Sequence, residues 1–258
     1  MNEKELIEYY NKFNEDKRLK TRHGQVEYLT TMKYLHKYLK KFNNPKILDV
    51  GAATGAYTIP LFEEGYDVVA FELVKHNLKE IEIKNKDIPC VLGNAIDLSK
   101  FKNNSFDIVL LFGPMYHLIS YDEKVKALKE AKRVLKNNGY IFISYCMNEY
   151  AVITHGFIDN NIKATIENKE INKEFSITPK ENDLYSFVRL KDINKLNKDS
   201  GLKRIKILSQ DGPTEYIKKT INKMDDDIFN IYLNYHFSTC ENKELLGAGR
   251  HILDIVSK

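Results

Sequence analysis

The chain of 258 residues has no tryptophan, only three cysteines and only six prolines. It also has no apolar run long enough to cross a bilayer. Each scarcity removes a class of protein. Cys90, Cys146 and Cys240 are odd in number and widely spaced, so they make no disulfide framework. No Cys-x-x-Cys pair and no local His/Cys/Asp cluster has metal-ligand spacing, so no metal is expected. Two of the thiols sit in apolar strand-like runs, where a free cysteine behaves as a small hydrophobe, and a reducing compartment is the simple reading. Neither sign of charge dominates: 40 basic and 36 acidic side chains leave a net +4. That balance is too even for a nucleic-acid footprint, so no nucleic-acid partner is expected, and no membrane either. The first residues, MNEKELIEYYNKFNEDK, are too charged for a secretory leader, and a cytoplasmic location is expected.

What is present is an ordinary globular mixture, 43% hydrophobic and 29% charged. The length suits one large domain, or a core with a smaller cap. Residues 2–41 read as helices: Leu6, Tyr9, Tyr10 and Phe13 recur at helical spacing, and Val26, Leu29, Met32, Tyr34, Leu35 and Leu39 form a second stripe. From residue 46 the chain alternates strand and helix. The runs KILDV (46–50), YDVVAFE (66–72), PCVLG (89–93), FDIVLLF (106–112) and YIFISYC (140–146) are predominantly apolar, as strands of a parallel sheet covered on both faces should be. A helix at 121–136 is expected to stop at Asn137-Asn138-Gly139. Residues 148–185 have no clear period, 190–200 and 213–240 read as helical, and 202–209 as a strand. A terminal strand within 245–257 is expected to return antiparallel along the sheet edge.

The turn after the first strand carries the chemistry. In ILDVGAATGAYTIPL, Asp49 ends the strand, and Gly51, Ala53 and Gly55 punctuate the passage into the next helix. In sheets of this type a ligand lies outside the carboxyl ends of the strands, and small residues let the backbone approach it. Glu72 ends the second strand, 21 residues after Gly51, where a carboxylate can accept ribose hydroxyl protons. Its alternative reading is a strand-end glutamate facing water. A dinucleotide and S-adenosylmethionine both suit turn and acid.

The segments that follow separate the two. GNAIDLSKFKNNSFDIVLLFGPMYHL and ALKEAKRVLKNNGYIFIS resemble the class I S-adenosylmethionine-dependent methyltransferases over residues 46–147, through Gly93-Asn94-Ala95, Phe106-Asp107-Ile108-Val109 and Arg133 to Gly139. The resemblance implies a Rossmann-like α/β fold with a mostly parallel seven-stranded sheet and helical cap insertions. It implies S-adenosyl-L-methionine as cofactor, held by Asp49, Gly51, Ala53, Gly55, Glu72, Asn94, Ala95 and Leu111. Ala53 replaces the middle glycine of the motif, Asn94 stands where the family usually has Asp, and Asn138 replaces a turn glycine, which left-handed-tolerant Asn allows. Arg18, Arg22, Glu27, Thr30, Thr31 and the GPMYHL loop resemble a subgroup acting on small molecules, which adds Tyr10, Arg18 and Arg22 to the cofactor set.

For the reaction, Tyr9, Tyr10 and Tyr116 are candidates to face the sulfonium, the first two with helix core as their alternative, and His117 is a candidate general base. The alternative for His117 is a histidine that holds its loop by a backbone hydrogen bond. The expected layout is a helical lid at 1–44, a cofactor-binding core at 45–147, a cap insertion at 148–189, and the rest of the core at 190–258 with a helical insertion at 213–240. Loss of residues 1–40 is expected to hurt turnover more than folding. The favoured activity is methyl transfer to a small-molecule acceptor. An RNA methyltransferase and a non-catalytic cofactor-binding protein stand as alternatives, and an NAD-dependent oxidoreductase is disfavoured by the segments after the third strand.

Overall fold

A computed structural model describes residues 6–8 and 15–258. Seven strands form one sheet: β1 (Lys46–Val50), β2 (Asp67–Glu72), β3 (Cys90–Leu92), β4 (Phe106–Leu111), β5 (Leu135–Cys146), β6 (Lys203–Ser209) and β7 (His251–Ser257). Their order is β3-β2-β1-β4-β5-β7-β6. The first five run parallel, and β7 lies antiparallel to both β5 and β6. The terminal strand is therefore not at the edge, as expected from the sequence; it fills the place between β5 and β6, and β6 is the edge. Burial accounts for this position. Ile252, Leu253, Ile255 and Val256 are all at most 1% exposed, which only a strand covered on both faces and flanked on both sides can satisfy.

The continuous apolar runs reflect two covered faces. Leu48, Val109, Leu111, Ile141 and Ile143 point to one side, against the helices Tyr121–Val134 and Leu190–Ser200. Ile47, Ile108, Leu110, Phe142 and Leu253 point to the other, against Met32, Leu35, Tyr38 and Leu39 of the helix Arg22–Leu39. Residues 22–39 are thus a structural layer of the core, and the expected lid over 1–44 must be shortened to what precedes this helix. The expected tolerance of a 1–40 deletion falls with it, because the deletion would strip one sheet face. Leu29, placed in the apolar stripe from spacing, is 37% exposed.

Two local readings also change. The helix after Ser120 ends at Val134, and Asn137-Asn138-Gly139 belongs to β5, which is irregular where Phe106 pairs with Leu135 but Ile108 with Tyr140. Asn138 does not take the left-handed conformation expected of it. The glycine that matters there is Gly139, where a Cβ would come 2.6 Å from the Asp107 carbonyl oxygen. The helical reading of 213–240 resolves into two helices, Lys218–Ile221 and Asp226–Thr239. Among the described residues no helix is long and apolar enough to cross a membrane.

Candidate cofactor and acceptor site

Strand order changes direction between β1 and β4, and the cleft lies there, at the carboxyl ends of four neighbouring parallel strands. It holds about 520 Å³ of space, open solvent included, between Gly51 and Ala53 after β1, Glu72 to Val74 after β2, Gly93 to Ala95 after β3, and Gly113, Pro114 and His117 after β4. Leu6 reaches it from the N-terminal segment.

The turn is shaped by backbone geometry. Gly51 has φ +79°, and a Cβ there would sit 2.7 Å from Pro114 Cδ. Ala53 has φ +47°, so the position where related turns carry glycine keeps the left-handed conformation despite its methyl group, at about 1–2 kcal/mol of strain. Gly55 acts beneath the turn, where a Cβ would strike Ile59 and Ile81. Gly93 is tight as well: a Cβ would lie 2.3 Å from Cζ of Phe71, whose ring packs edge-on against Phe101. Gly93→Ala is therefore expected to cost about 1–3 kcal/mol by overpacking and to weaken any ligand in the cleft. Urea unfolding checks this; an unchanged midpoint would mean that Phe71 can retreat.

The acids of the site are buried. Glu72 is 6% exposed, and its carboxylate accepts from the Ala53 N–H (2.9 Å) and the Val74 N–H (2.8 Å). Burial raises its pKa, and these backbone bonds oppose the rise. Asp49 does not line the cleft. It lies beneath the turn, where its Oδ2 accepts from the Thr58 hydroxyl at 2.6 Å. Burial pushes it up to about 7, with the Thr58 bond opposing and the Glu72 charge adding. Asn94 lines the cleft while its Oδ1 accepts from the Ile96 N–H at 3.2 Å.

The other sequence candidates divide. Ala95 lines the cleft. Leu111 is wholly buried in the core, with its side chain among the apolar residues of one sheet face, and is not brought to the cleft. Arg18 makes a two-pronged ion pair with Glu27 at 2.6 and 3.0 Å, and Arg22 pairs with Asp226 at 2.7 Å and lies over the Phe229 ring. Neither arginine lines the cleft. Tyr9, Tyr10 and Phe13 lie outside the described residues. His117 lines the cleft, but its Nδ1 is 2.8 Å from the Leu184 carbonyl oxygen, the loop-holding geometry. Burial pushes its pKa down to about 4, the Leu184 bond opposing, so the ring is neutral near pH 7. Tyr116 stands beside it, its ring centroid 4.7 Å from that of His117.

Sequence reasoning missed one set of residues. Glu27, Asp211 and His251 bring ligand-type atoms within 4.8 Å of one another in the interior. They come from three elements remote in sequence, so no local spacing announces them.

The charge around the cleft suits a cationic cofactor. Among its described lining residues the cleft has no lysine or arginine to face a pyrophosphate. Two buried carboxylates lie at and beneath its floor, and each has its proton affinity raised by burial, a surrounding that repels an anion and favours a cation such as a sulfonium bearing an ammonium group. Residues 48–143 also match the family described as "Methyltransferase domain". Residues 48–143 carry a class I S-adenosylmethionine-dependent methyltransferase domain. S-adenosylmethionine is the cofactor of this class, and the seven-stranded sheet has its architecture. The domain is 35% identical over 99 residues to a demethylmenaquinone methyltransferase of Renibacterium salmoninarum, covering 38% of this chain and 40% of that protein. It is 31% identical over 113 residues to a glycine/sarcosine N-methyltransferase of Parasynechococcus marenigrum, covering 42% of this chain and 40% of that one. The chain thus spans about 40% of the length of these curated relatives. The likeness in fold reaches further: a S-adenosylmethionine-dependent methyltransferase structure from Methanosarcina mazei superposes with a TM-score of 0.59 at 16% identity, over 87% of this chain and 96% of that one.

Proposed function

We propose that the protein transfers the methyl group of S-adenosylmethionine to a small-molecule acceptor. The observation that carries this reading is the pair of buried acids, Glu72 lining the cleft and Asp49 beneath its floor, with no lysine or arginine among the described lining residues. Glu72, braced by the Ala53 and Val74 N–H groups and by hydrogen bonds from Asn77 and Leu73, presents its carboxylate at the cleft wall where ribose hydroxyls would lie. Asn94 and Ala95 form the adenine end of the cleft, and Gly51 and Ala53 the floor. The cofactor, when bound, supplies an electrophilic methyl on sulfur. The protein supplies alignment and dryness, which can account for much of the rate of such a displacement.

Dryness is the task of the segments above the cleft. Leu6 contributes from the N-terminal side. The cap at 148–189 is tied down by the His117–Leu184 contact, by the Ser186 N–H to Tyr116 O bond at 2.8 Å, and by Lys124, whose ammonium donates to Leu118 O and, at 2.6 Å, to Ser186 Oγ. In this arrangement His117 is a positioning residue and a wall of the cleft. A small acceptor agrees with such a covered site and with the substrates in the relatives' names, demethylmenaquinone and glycine or sarcosine.

Calorimetry on the full chain is expected to show binding of S-adenosylmethionine and of S-adenosylhomocysteine, and none of comparable strength for NAD. Tight NAD binding would overturn the reading. With methyl-labelled cofactor, label is expected in the low-molecular-weight fraction of a cell extract; label in the RNA fraction would assign the acceptor to a different class.

A further inference from the structure

Because β7 runs antiparallel to β5, its first residues lie at the same sheet edge as the carboxyl ends of the parallel strands, and Cys146 pairs with His251. The carboxyl end of β6 arrives there too and is followed by Asp211. The chain thus assembles a second group of charged residues beside the cleft, on the far side of Tyr116. We propose that Arg250 and His251 bind a carboxylate on the methyl acceptor, so that the substrate is a small organic acid. This inference rests on the methyl-transfer reading above and names its substrate class.

The cluster holds His251 in one orientation. Its Nδ1 is 2.8 Å from Asp211 Oδ2 and 3.3 Å from Glu27 Oε2. Asp211 is fixed in turn, since its Oδ1 accepts from the N–H groups of Arg250 (3.0 Å) and His251 (3.1 Å). Nδ1 therefore carries a proton, and Nε2 has no partner among the described residues. Burial works against an imidazolium here, as does the Arg250 charge, but Glu27 and Cys146, with the Asp211 hydrogen bond, outweigh them and raise the pKa well above its usual value, so Nε2 is a donor at neutral pH. Arg250 has capacity to spare as well. Among the described residues only its Nη1 is engaged, with Glu215 Oε1 at 3.2 Å, while the guanidinium lies 5.5 Å from the centroid of the Tyr150 ring.

The charges favour an anion. Arg18, Lys218, Arg250 and protonated His251 face Glu27, Asp211 and Glu215, which leaves one positive charge unbalanced. A divalent cation at Glu27, Asp211 and His251 would have to displace Arg18 from Glu27 and take the proton from Nδ1, with Arg250 alongside. A planar carboxylate instead matches the flat donor edge of a guanidinium.

The position suits an acceptor. The Tyr116 ring centroid is 6.3 Å from that of His251 and 4.7 Å from that of His117, a wall of the cofactor cleft. Tyr116 thus stands between the charged group and the cleft, within ring-contact range of both histidines. Tyr150 and Tyr185 also line a hollow inside the cap, so apolar, aromatic walls extend from this point.

The test uses the full chain saturated with S-adenosylhomocysteine and a series of paired probes: acetate, glycolate, benzoate, 4-hydroxybenzoate and phenylacetate, each against its amide, with inorganic phosphate and Mn²⁺ as further arms. At least one acid is expected to bind, by thermal shift and calorimetry, about tenfold or more tightly than its amide, the loss expected when charge-assisted bonds are removed. Arg250→Gln should abolish the preference and Arg250→Lys should restore part of it, while both keep the affinity for S-adenosylhomocysteine, which also reports that they fold. Acids that bind no better than their amides, a preference that survives Arg250→Gln, or saturation by phosphate or Mn²⁺ in place of the acids would overturn the proposal. Failure of the wild-type chain to bind S-adenosylhomocysteine would instead bring down the methyl-transfer reading beneath it.

Discussion

Asp49→Asn is expected to stabilise the cofactor-free protein above pH 7 by up to on the order of 4 kcal/mol, and to do so progressively less as the pH is lowered. Burial raises the Asp49 pKa from 3.8 to about 7. The native state therefore holds this proton more tightly than the unfolded state does. Between about pH 4 and about pH 7 the folded protein must either keep a proton that solvent would remove or bury a charge, and stability falls through that window as pH rises. At about 1.4 kcal/mol per pKa unit the full loss is of the size given above. Asparagine removes the ionisation yet keeps an oxygen for the Thr58 hydroxyl, which now bonds at 2.6 Å. Chemical unfolding at pH 5 and pH 8 checks this: the advantage of the variant should be clearly larger at pH 8, and an equal advantage at both would refute a titrating Asp49. The same charge has the opposite effect on the liganded protein. A cationic cofactor over the turn favours ionised Asp49, so binding near pH 7 should release a proton from wild type, seen as a buffer-dependent heat, and not from the variant.

The second large effect is expected at Glu72. Replacement by alanine removes the only carboxylate that lines the cleft among the described residues. Loss of its charge-assisted bonds to the ribose should weaken cofactor binding by about 1.5–3 kcal/mol, or roughly 10- to 100-fold. The fold should suffer less than the site. The variant leaves the Ala53 and Val74 N–H groups without their acceptor, but it also removes a carboxylate whose burial is unfavourable. Glutamine keeps one acceptor oxygen without the charge and should fall between the two. Titration calorimetry of the three proteins with S-adenosylhomocysteine measures the series, and an affinity unchanged in Glu72→Ala would reduce the acid to a brace for the turn.

How much of this was readable in advance depended on how local the cause was. Asp49, Gly51 and Glu72 announce themselves because strand, turn and strand-end acid follow one another in the chain, and the apolar strands of a covered sheet leave continuous runs such as FDIVLLF. The helix Leu190–Ser200 and its left-handed stop at Gly201 were legible for the same reason, since helical spacing and the terminating glycine are adjacent. Leu111 shows the limit. It sits at the correct end of β4, but strand alternation turns its side chain into the core, and end position alone does not reveal that parity. The helix Arg22–Leu39 looked like a lid because it precedes the sheet, whereas its burial is decided by strands made later. The place of β7 and the convergence of Glu27, Asp211 and His251 are wholly tertiary. Hydrophobicity shows that residues 251–257 are buried, but not which two strands receive them.

The placement of β7 bears on how the protein is made. β5 leaves the ribosome long before the strand that covers its free side, and β6 emerges with no neighbour to pair with until β7 arrives. A growing chain thus presents an apolar, unpaired sheet border while residues 147–250 are made, the kind of surface that other chains add to. The strand that ends this exposure also begins with Arg250 and His251. Closing the sheet and completing the charged cluster are therefore a single event in the life of each new molecule, and nascent chains that have not reached it are the ones a chaperone would need to hold.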